Sequence, residues 1–391
     1  MAKLILEEKF HMNRISAVIC EFNPFHNGHE ALLIHARAVS EVLICVMSGN
    51  FTQRSECAVF DKYIRAEAAL KMGADIVLEL PFPYSSAGAE LFAFGGVSVG
   101  ALAGAEHFIF GSECGNTEHI LSAASAETEG ELDALLKESS SPADGAAVRY
   151  DRAMRTLGFS LGANDKLGVH YIKAARKVGF DVSFEAFARM CDPSVYRSAT
   201  EIRRMIYEGG TSSAFDYIPS KLHGVFPKVA SVESDKLAQI EYLHYRLASA
   251  DSREAFFEGE GGVSDRLYRA AAASRGYEEF FSNAATKRYT DSRLRRAALY
   301  ELLGVKREDL YCSPEVTLLL GASEKGCRYL SSIRKNSLLR IITKPSDSAD
   351  LSAVGLAQLE MIRRADELYS LCLVEGVPCG EFLRRRPYIE K

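Results

Sequence analysis

Ile15-Ser16-Ala17-Val18-Ile19-Cys20 runs directly into Glu21-Phe22-Asn23-Pro24-Phe25-His26-Asn27-Gly28-His29-Glu30, and the reading of the fold turns on this junction. The first six residues are mostly β-branched or apolar without alternation, which predicts a strand buried on both faces of a parallel sheet. Asn23-Pro24 ends it. Downstream, Ala31, Leu32, Ile34, His35 and Ala38 recur at helical spacing, so a helix is expected to begin near His29. The free N–H groups and positive dipole end of that helix face back toward the histidines, where an anion is stabilised. Gly28 lets backbone approach a phosphate closely. His26 and His29, three residues apart, share a helical edge, expected to face solvent, and can donate to phosphate oxygens. Two plainer readings stand beside this one. A strand-to-helix turn can carry incidental histidines, and a His-x-x-His pair can ligate zinc. No Glu or Cys lies at a matching spacing for zinc, so phosphate binding is preferred and no metal ligands are assigned.

Working outward, four more strands are expected at Val42–Met47, Ile76–Leu80, His107–Phe110 and Val182–Phe187. Helical patterns lie between them at Glu30–Ala38, Lys62–Met72, Ala89–Leu102 and Leu167–Val178. Alternation of this kind predicts an α/β fold with helices on both faces of a parallel sheet and a ligand outside the strands' carboxyl ends. After about Pro227 strands are not expected. Glu241–Ser249, Ser264–Ser274, Ser292–Leu303 and Leu351–Glu375 read as helices. With 391 residues, two domains are the natural division. These are a nucleotide-binding domain over 13–226 and a mainly α-helical one over 227–391.

A formal charge of −5 argues against a uniformly basic coat for nucleic acid while allowing a local basic patch. None of the nine cysteines forms Cys-x-x-Cys, which suits reduced, structural thiols in a cytoplasmic protein. Leu4-Ile5-Leu6 is too short an apolar stretch for a signal peptide, and no run approaches membrane-spanning length. The densest basic patch is Lys287, Arg288, Arg293, Arg295 and Arg296, with Tyr289 interleaved. Such a run is commonly a solvated helix face. It is also suited to an RNA phosphate backbone, with Tyr289 placed for base stacking. Ser198 and Glu201 form a capping box at a helix start, which is an anion site as well.

The ordered set Glu21–His29, Met47-Ser48-Gly49-Asn50-Phe51-Thr52-Gln53-Arg54, Asp61-Lys62-Tyr63-Ile64-Arg65-Ala66, Glu79-Leu80-Pro81-Phe82 and Phe110-Gly111-Ser112-Glu113 resembles the bacterial tRNA(Met) cytidine acetate ligase family. This is one branch of the His-x-Gly-His nucleotidyltransferase superfamily, and Thr286–Arg296 extends the likeness. The resemblance implies a Rossmann-like nucleotidyltransferase domain followed by a helical tRNA-binding domain. It implies catalytic roles for His26 and His29 and an ATP site along Ile19, Cys20, Glu21, Phe22, Asn23, Pro24, Phe25, His26, Asn27, Gly28, His29, Glu30, Ala31 and Leu32. Gly111, Asn164, Arg189, Ser198, Thr200 and Arg203 would complete that site, Arg203 neutralising the leaving pyrophosphate. Asn164 also reads as a helix N-cap, and Arg189 as a solvated surface residue. Here the chain has Met190-Cys191-Asp192-Pro193 where the family usually carries a Gly-Tyr-His type segment, and Ser55 and Cys57 where it tends to have Gly and Pro.

The activity so implied is ATP-dependent activation of acetate as acetyl-adenylate, with Mg²⁺ accompanying ATP, then acetylation of N4 of the wobble cytidine (position 34) of elongator tRNA(Met). No residue pattern in the sequence marks a general base for the second step. The competing readings are a cofactor-making adenylyltransferase and a non-catalytic, nucleotide-regulated tRNA-binding protein.

Overall fold

The computed structural model describes residues 14–128, 131–138, 146–189, 192, 194–248, 256–286, 289–333 and 337–391. Five parallel strands, β1 (Ile15–Cys20), β2 (Val42–Ser48), β3 (Ile76–Leu80), β4 (His107–Ser112) and β5 (Ser183–Ala188), stand in the order β5-β4-β1-β2-β3. Their register pairs Cys20 with Met47, Ser48 with Leu80 and Ser112 with Ala188, so these strand ends form a common edge. Side chains alternate between two cores. Val42, Ile44 and Val46 of β2 belong to one, and Leu43, Cys45 and Met47 to the other. Both faces are dry, which is why these strands read as continuous apolar runs.

Helices α1 (Asn27–Ala38), α2 (Lys62–Lys71), α3 (Ala89–Leu102), α4 (Thr117–Thr128), α5 (Glu131–Glu138), α6 (Ala146–Thr156), α7 (Ala163–Val178) and α8 (Ala199–Gly209) accompany the strands. Then α9 (Lys236–Leu247), α10 (Val263–Ala273), α11 (Tyr277–Ala284) and α12 (Asp291–Leu303) build a small core of their own around Tyr245, Leu267, Phe280 and Leu294. On α12 the succeeding Leu299, Tyr300 and Leu303 belong instead to a core of the sheet. This helix therefore serves both units.

The expectation that strands end at about Pro227 is corrected by the last quarter of the chain. β6 (Val316–Ser323) lies antiparallel beside β3, and β7 (Arg340–Ile342) and β8 (Tyr388–Glu390) pair parallel with β6. Residues 227–391 thus contribute the four-helix unit, three strands, and the helices α13 (Glu324–Ile333) and α14 (Ala353–Leu371). The physical reason is the edge of β3, whose backbone groups need partners that no earlier segment supplies. Among the described residues no helix is long and apolar enough to cross a membrane.

Two buried cations fix the sheet's carboxyl edge. Arg65 on α2 is wholly buried and donates to the carbonyls of Glu21, Ser48, Gly49 and Phe60. Lys62, one turn earlier, reaches Glu79 Oε2 at 2.8 Å and Asp366 Oδ2 at 2.7 Å, joining β3 to α14. Asn50 completes the cluster by donating to Asp366 and accepting from the Lys62 N–H. A Cβ on Gly49 would lie 2.2 Å from Glu79 Oε1, so only glycine leaves room for this cluster.

Burial, and the neighbouring Asp366, push the Glu79 carboxyl up to about 7 against the opposing pull of Lys62. A carboxyl raised on folding binds its proton more tightly in the native state, so stability falls as pH rises from about 4.5 to about 7 and is level above. Glu79→Gln is expected to remove that part of the decline, read from urea midpoints at pH 5 and 8. Lys62→Met leaves two buried carboxylates face to face and is expected to cost about 3–5 kcal/mol at pH 8. The loss shrinks at pH 5, where protonation relieves the repulsion.

Candidate active site

A cavity of about 390 Å³ opens where the sheet order reverses, between the carboxyl ends of β1 and β4. Ile19 and Cys20 of β1, Phe110 and Gly111 of β4 and Phe187 of β5 form its floor. Phe92 of α3, with Leu167 and Tyr171 of α7, supplies an apolar wall. Three polar limbs converge above: the turn into α1, the loop Thr52–Arg54, and the start of α8.

The helix begins two residues before its expected start because His26 is its N-cap. His26 Nδ1 accepts the Gly28 N–H at 3.1 Å, and His29 Nδ1 accepts the His26 N–H at 3.3 Å. The rings stack with centroids 3.7 Å apart. A Cβ on Gly28 would lie 3.0 Å from His26 Cε1, so the glycine lets the imidazole fold over its own helix start. His26 is only 6% exposed, which corrects the expectation of a solvent-facing edge. Burial lowers the His26 pKa to about 3, with Arg189 and Arg203 adding to the effect. His29 is lowered well below its ordinary value by burial, then by His26. Both rings are therefore neutral. With each Nδ1 taken as an acceptor, the tautomer assigned to both carries its proton on Nε2. The pair is a set of uncharged hydrogen-bond donors.

Around it, Glu21 Oε1 accepts the Gln53 N–H at 2.7 Å, fixing the loop against the end of β1. Arg203 donates to the Asn23 carbonyl at 2.9 Å and to Thr200 Oγ1 at 3.2 Å, tying α8 to the histidine turn. Ser198 caps α8 and exchanges hydrogen bonds with Glu201, as the capping box predicts. Asn164 is the second residue of α7, not its cap. Glu113 takes the helix start, accepting from the Asn164 and Asp165 N–H groups and from Asn164 Nδ2. Glu113 also pairs with Arg189 at 3.6 Å, so Arg189 reaches the cavity from the end of β5.

Of the expected ATP contacts, Ile19, Cys20, Glu21, Phe22, Asn23, His26, Gly28, His29, Leu32, Gly111, Asn164, Arg189, Ser198, Thr200 and Arg203 line this one cavity. Pro24, Phe25, Asn27, Glu30 and Ala31 do not. Phe25 is wholly buried in the core beneath α1. Asn27 instead donates to the carbonyls of Val195 and Asp216, bracing the turn from outside. Phe92, Phe110, Leu167 and Tyr171 line the cavity too, although in sequence they look like any core residues. The Thr52–Arg54 loop joins them, and its signal in the sequence is the Met47–Arg54 motif.

The basic segment divides. Lys287 and Arg288 lie outside the described residues. Arg293 pairs with Glu258 at 3.4 Å and Arg295 with Asp291 at 2.8 Å, both keeping partial exposure. Arg296 is 9% exposed and spends its guanidinium on the Ser86 carbonyl (2.8 Å), Glu258 (3.3 Å) and the Gln53 carbonyl (3.4 Å). Tyr289 is buried in the helical core, its hydroxyl donating to the Gly261 carbonyl. The RNA contacts expected of Arg296 and Tyr289 are therefore corrected. Tertiary partners bury both, while Arg296 straps α12 to the active-site loop.

The sequence model of the HIGH Nucleotidyl Transferase family matches residues 12–377. The chain is 33% identical to a tRNA(Met) cytidine acetate ligase of Listeria monocytogenes, over 94% of this chain and 98% of that one. It is 32% identical to one of Lysinibacillus sphaericus, over 92% and 95%. Its fold superposes on the crystal structure of Thermotoga maritima TmcAL bound with alpha-thio ATP with a TM-score of 0.88 at 29% identity, covering 97% of this chain and all of the other. By sequence and by fold, this chain belongs to the HIGH nucleotidyl transferases, in the branch of the tRNA(Met) cytidine acetate ligases.

Proposed function

We propose that this protein activates acetate with ATP and acetylates N4 of the wobble cytidine of elongator tRNA(Met). The carrying observation is the pair of neutral, N–H-presenting imidazoles at a helix start beside a cavity at the sheet's switch point. Acetate oxygen attacks the α-phosphorus of ATP, and negative charge grows on the phosphoryl oxygens. His26 and His29 donate to those oxygens from fixed positions, which stabilises the transition state without reorganisation. Arg203 and the start of α8 receive the departing pyrophosphate. The apolar wall of Phe92, Phe110, Leu167 and Tyr171 suits the adenine ring.

Among the described residues no group of three His, Cys, Asp or Glu side chains is arranged to hold a metal ion. Magnesium belongs to this reading as the companion of the triphosphate. The RNA surface is assigned to the helical unit, with Arg293 and Arg295 together with Lys287 and Arg288, and the site of action is the cytoplasm. A match to tRNA(Met) cytidine acetate ligases over nearly the whole chain supports this reading over a cofactor-making adenylyltransferase.

The decisive assay is acetate-dependent exchange of pyrophosphate into ATP. Exchange that requires acetate is expected, whereas a cofactor adenylyltransferase or a regulatory nucleotide site gives exchange independent of acetate or none. His26→Ala or His29→Ala is expected to slow exchange by about 10²–10³. Because His26 titrates only near 3 and burial holds His29 well below its ordinary value, the exchange rate of the wild type should show no inflection near 6.5 from these histidines. A rate that falls as pH rises through 6.5 would instead mean that an imidazolium does the work. Arg203→Ala is expected to raise the KM for ATP and leave tRNA affinity nearly unchanged. Arg293→Ala with Arg295→Ala should do the reverse, reducing the log–log salt slope of tRNA binding by about 0.7–0.9 per lost phosphate contact. Parallel slopes would remove this segment from the RNA surface.

A further inference from the structure

Acetyl transfer requires the exocyclic amine of cytidine to lose a proton as it attacks the mixed anhydride. The histidines that serve the first step are unsuited to accept it. Each Nδ1 already accepts a backbone N–H, which assigns the ring hydrogen to Nε2. Tyr171 in the wall is held as a phenol, since burial pushes its pKa up. Two carboxylates remain on the cavity, Glu21 and Glu56. No hydrogen bond among the described residues fixes the Glu56 carboxylate. Glu21 is different. It extends from the end of β1 into the site, and its backbone carbonyl is gripped by Arg65 at 2.6 Å. Its Oε1 accepts the Gln53 N–H at 2.7 Å, while Oε2 accepts no hydrogen bond from the described residues. One oxygen is anchored, and the other accepts no hydrogen bond from the described residues on a side chain that lines the cavity.

We infer that Glu21 is the general base of the transfer step, an inference that rests on the acetate-ligase reading above. Glu21 Oε2 takes the proton from cytidine N4 as the N4–C bond to the acetyl carbonyl forms. The carbonyl–oxygen bond to the α-phosphate breaks, and AMP leaves with that bonding pair. Nothing is oxidised or reduced, and the proton later passes from Glu21 to solvent. Burial raises the affinity of this carboxylate for a proton, with Gln53, Arg203, Arg65 and Arg54 opposing, so it is a stronger base than an exposed glutamate. Activation also prepares it. Acetate's charge is consumed and pyrophosphate departs, which lowers the negative charge around Glu21 and favours its ionised, proton-accepting form before transfer.

The test supplies synthetic acetyl-adenylate with transcribed tRNA to the full-length protein, so the activation step is bypassed. Glu21→Gln is expected to lower the rate of cytidine acetylation at saturating acetyl-adenylate by about 10²–10⁴, with a far smaller change in affinity for acetyl-adenylate. Glu21→Asp is expected to recover part of the rate, and azide, a small external base, part of the rate of Glu21→Ala. A Glu21→Gln protein that transfers acetyl at the wild-type rate overturns the assignment. So does one whose only defect is weaker binding of acetyl-adenylate, or a Glu21→Ala protein that azide leaves unchanged while Glu21→Asp is as slow as Glu21→Gln. If wild-type protein shows neither acetate-dependent exchange nor transfer from acetyl-adenylate, the acetate-ligase reading itself fails, and that result is separate from the others.

Discussion

One buried guanidinium holds the reaction edge together. Where parallel strands end, their last carbonyls leave the ladder while still inside the protein, and each needs a donor. Arg65 answers for Glu21 after β1, for Ser48 and Gly49 where β2 ends, and for Phe60 ahead of its own helix. A lysine has no planar fork with which to reach so many acceptors at once. Two limbs of the cavity start from this contact. Glu21 leads into the histidine turn, and the segment after Gly49 becomes the loop whose Gln53 N–H returns to Glu21. The Lys62 cluster adds a second tie one turn away and secures α14 to the same edge.

The same dryness that makes these ties strong decides the character of the histidine pair. An exposed His-x-Gly-His would be partly protonated near neutrality and would meet the triphosphate as charge against charge. Here desolvation keeps both rings neutral, helped at His26 by Arg189 and Arg203 and at His29 by His26 and Arg189, and formal positive charge is left to the two arginines. The labour is divided. In the proposed reaction the arginines would balance the overall charge of the triphosphate, while the imidazoles would aim short-range dipoles at the atoms where charge develops.

Much of this was legible because it is local. β1 and β3 match their expected bounds, since a two-sided buried strand advertises itself by an unbroken apolar run. The Ser198–Glu201 box gave the start of α8 for the same reason. What escaped detection depends on partners far along the chain. Val316–Ser323 carries the apolar run Leu318-Leu319-Leu320, yet nothing within it names the edge of β3 as its place. Arg295 and Arg296 are adjacent and chemically identical, and only Ser86, Glu258 and Gln53 make one of them interior. The aromatic wall of the cavity was hidden differently, because Phe92 or Phe110 beside a ligand carries the same pattern as in a closed core.

The antiparallel partner of β3 also bears on how this protein is made. Five strands of the sheet are complete by Ala188, but β3 keeps an open edge until β6, more than 120 residues later, has been synthesised. On the ribosome, the nascent sheet therefore carries a row of unpaired amides and carbonyls while the four-helix unit is still emerging. Such an edge is a template for pairing with other chains. Final closure of the sheet is consequently a late event of high contact order, and the half-made chain is the species for which chaperones matter most.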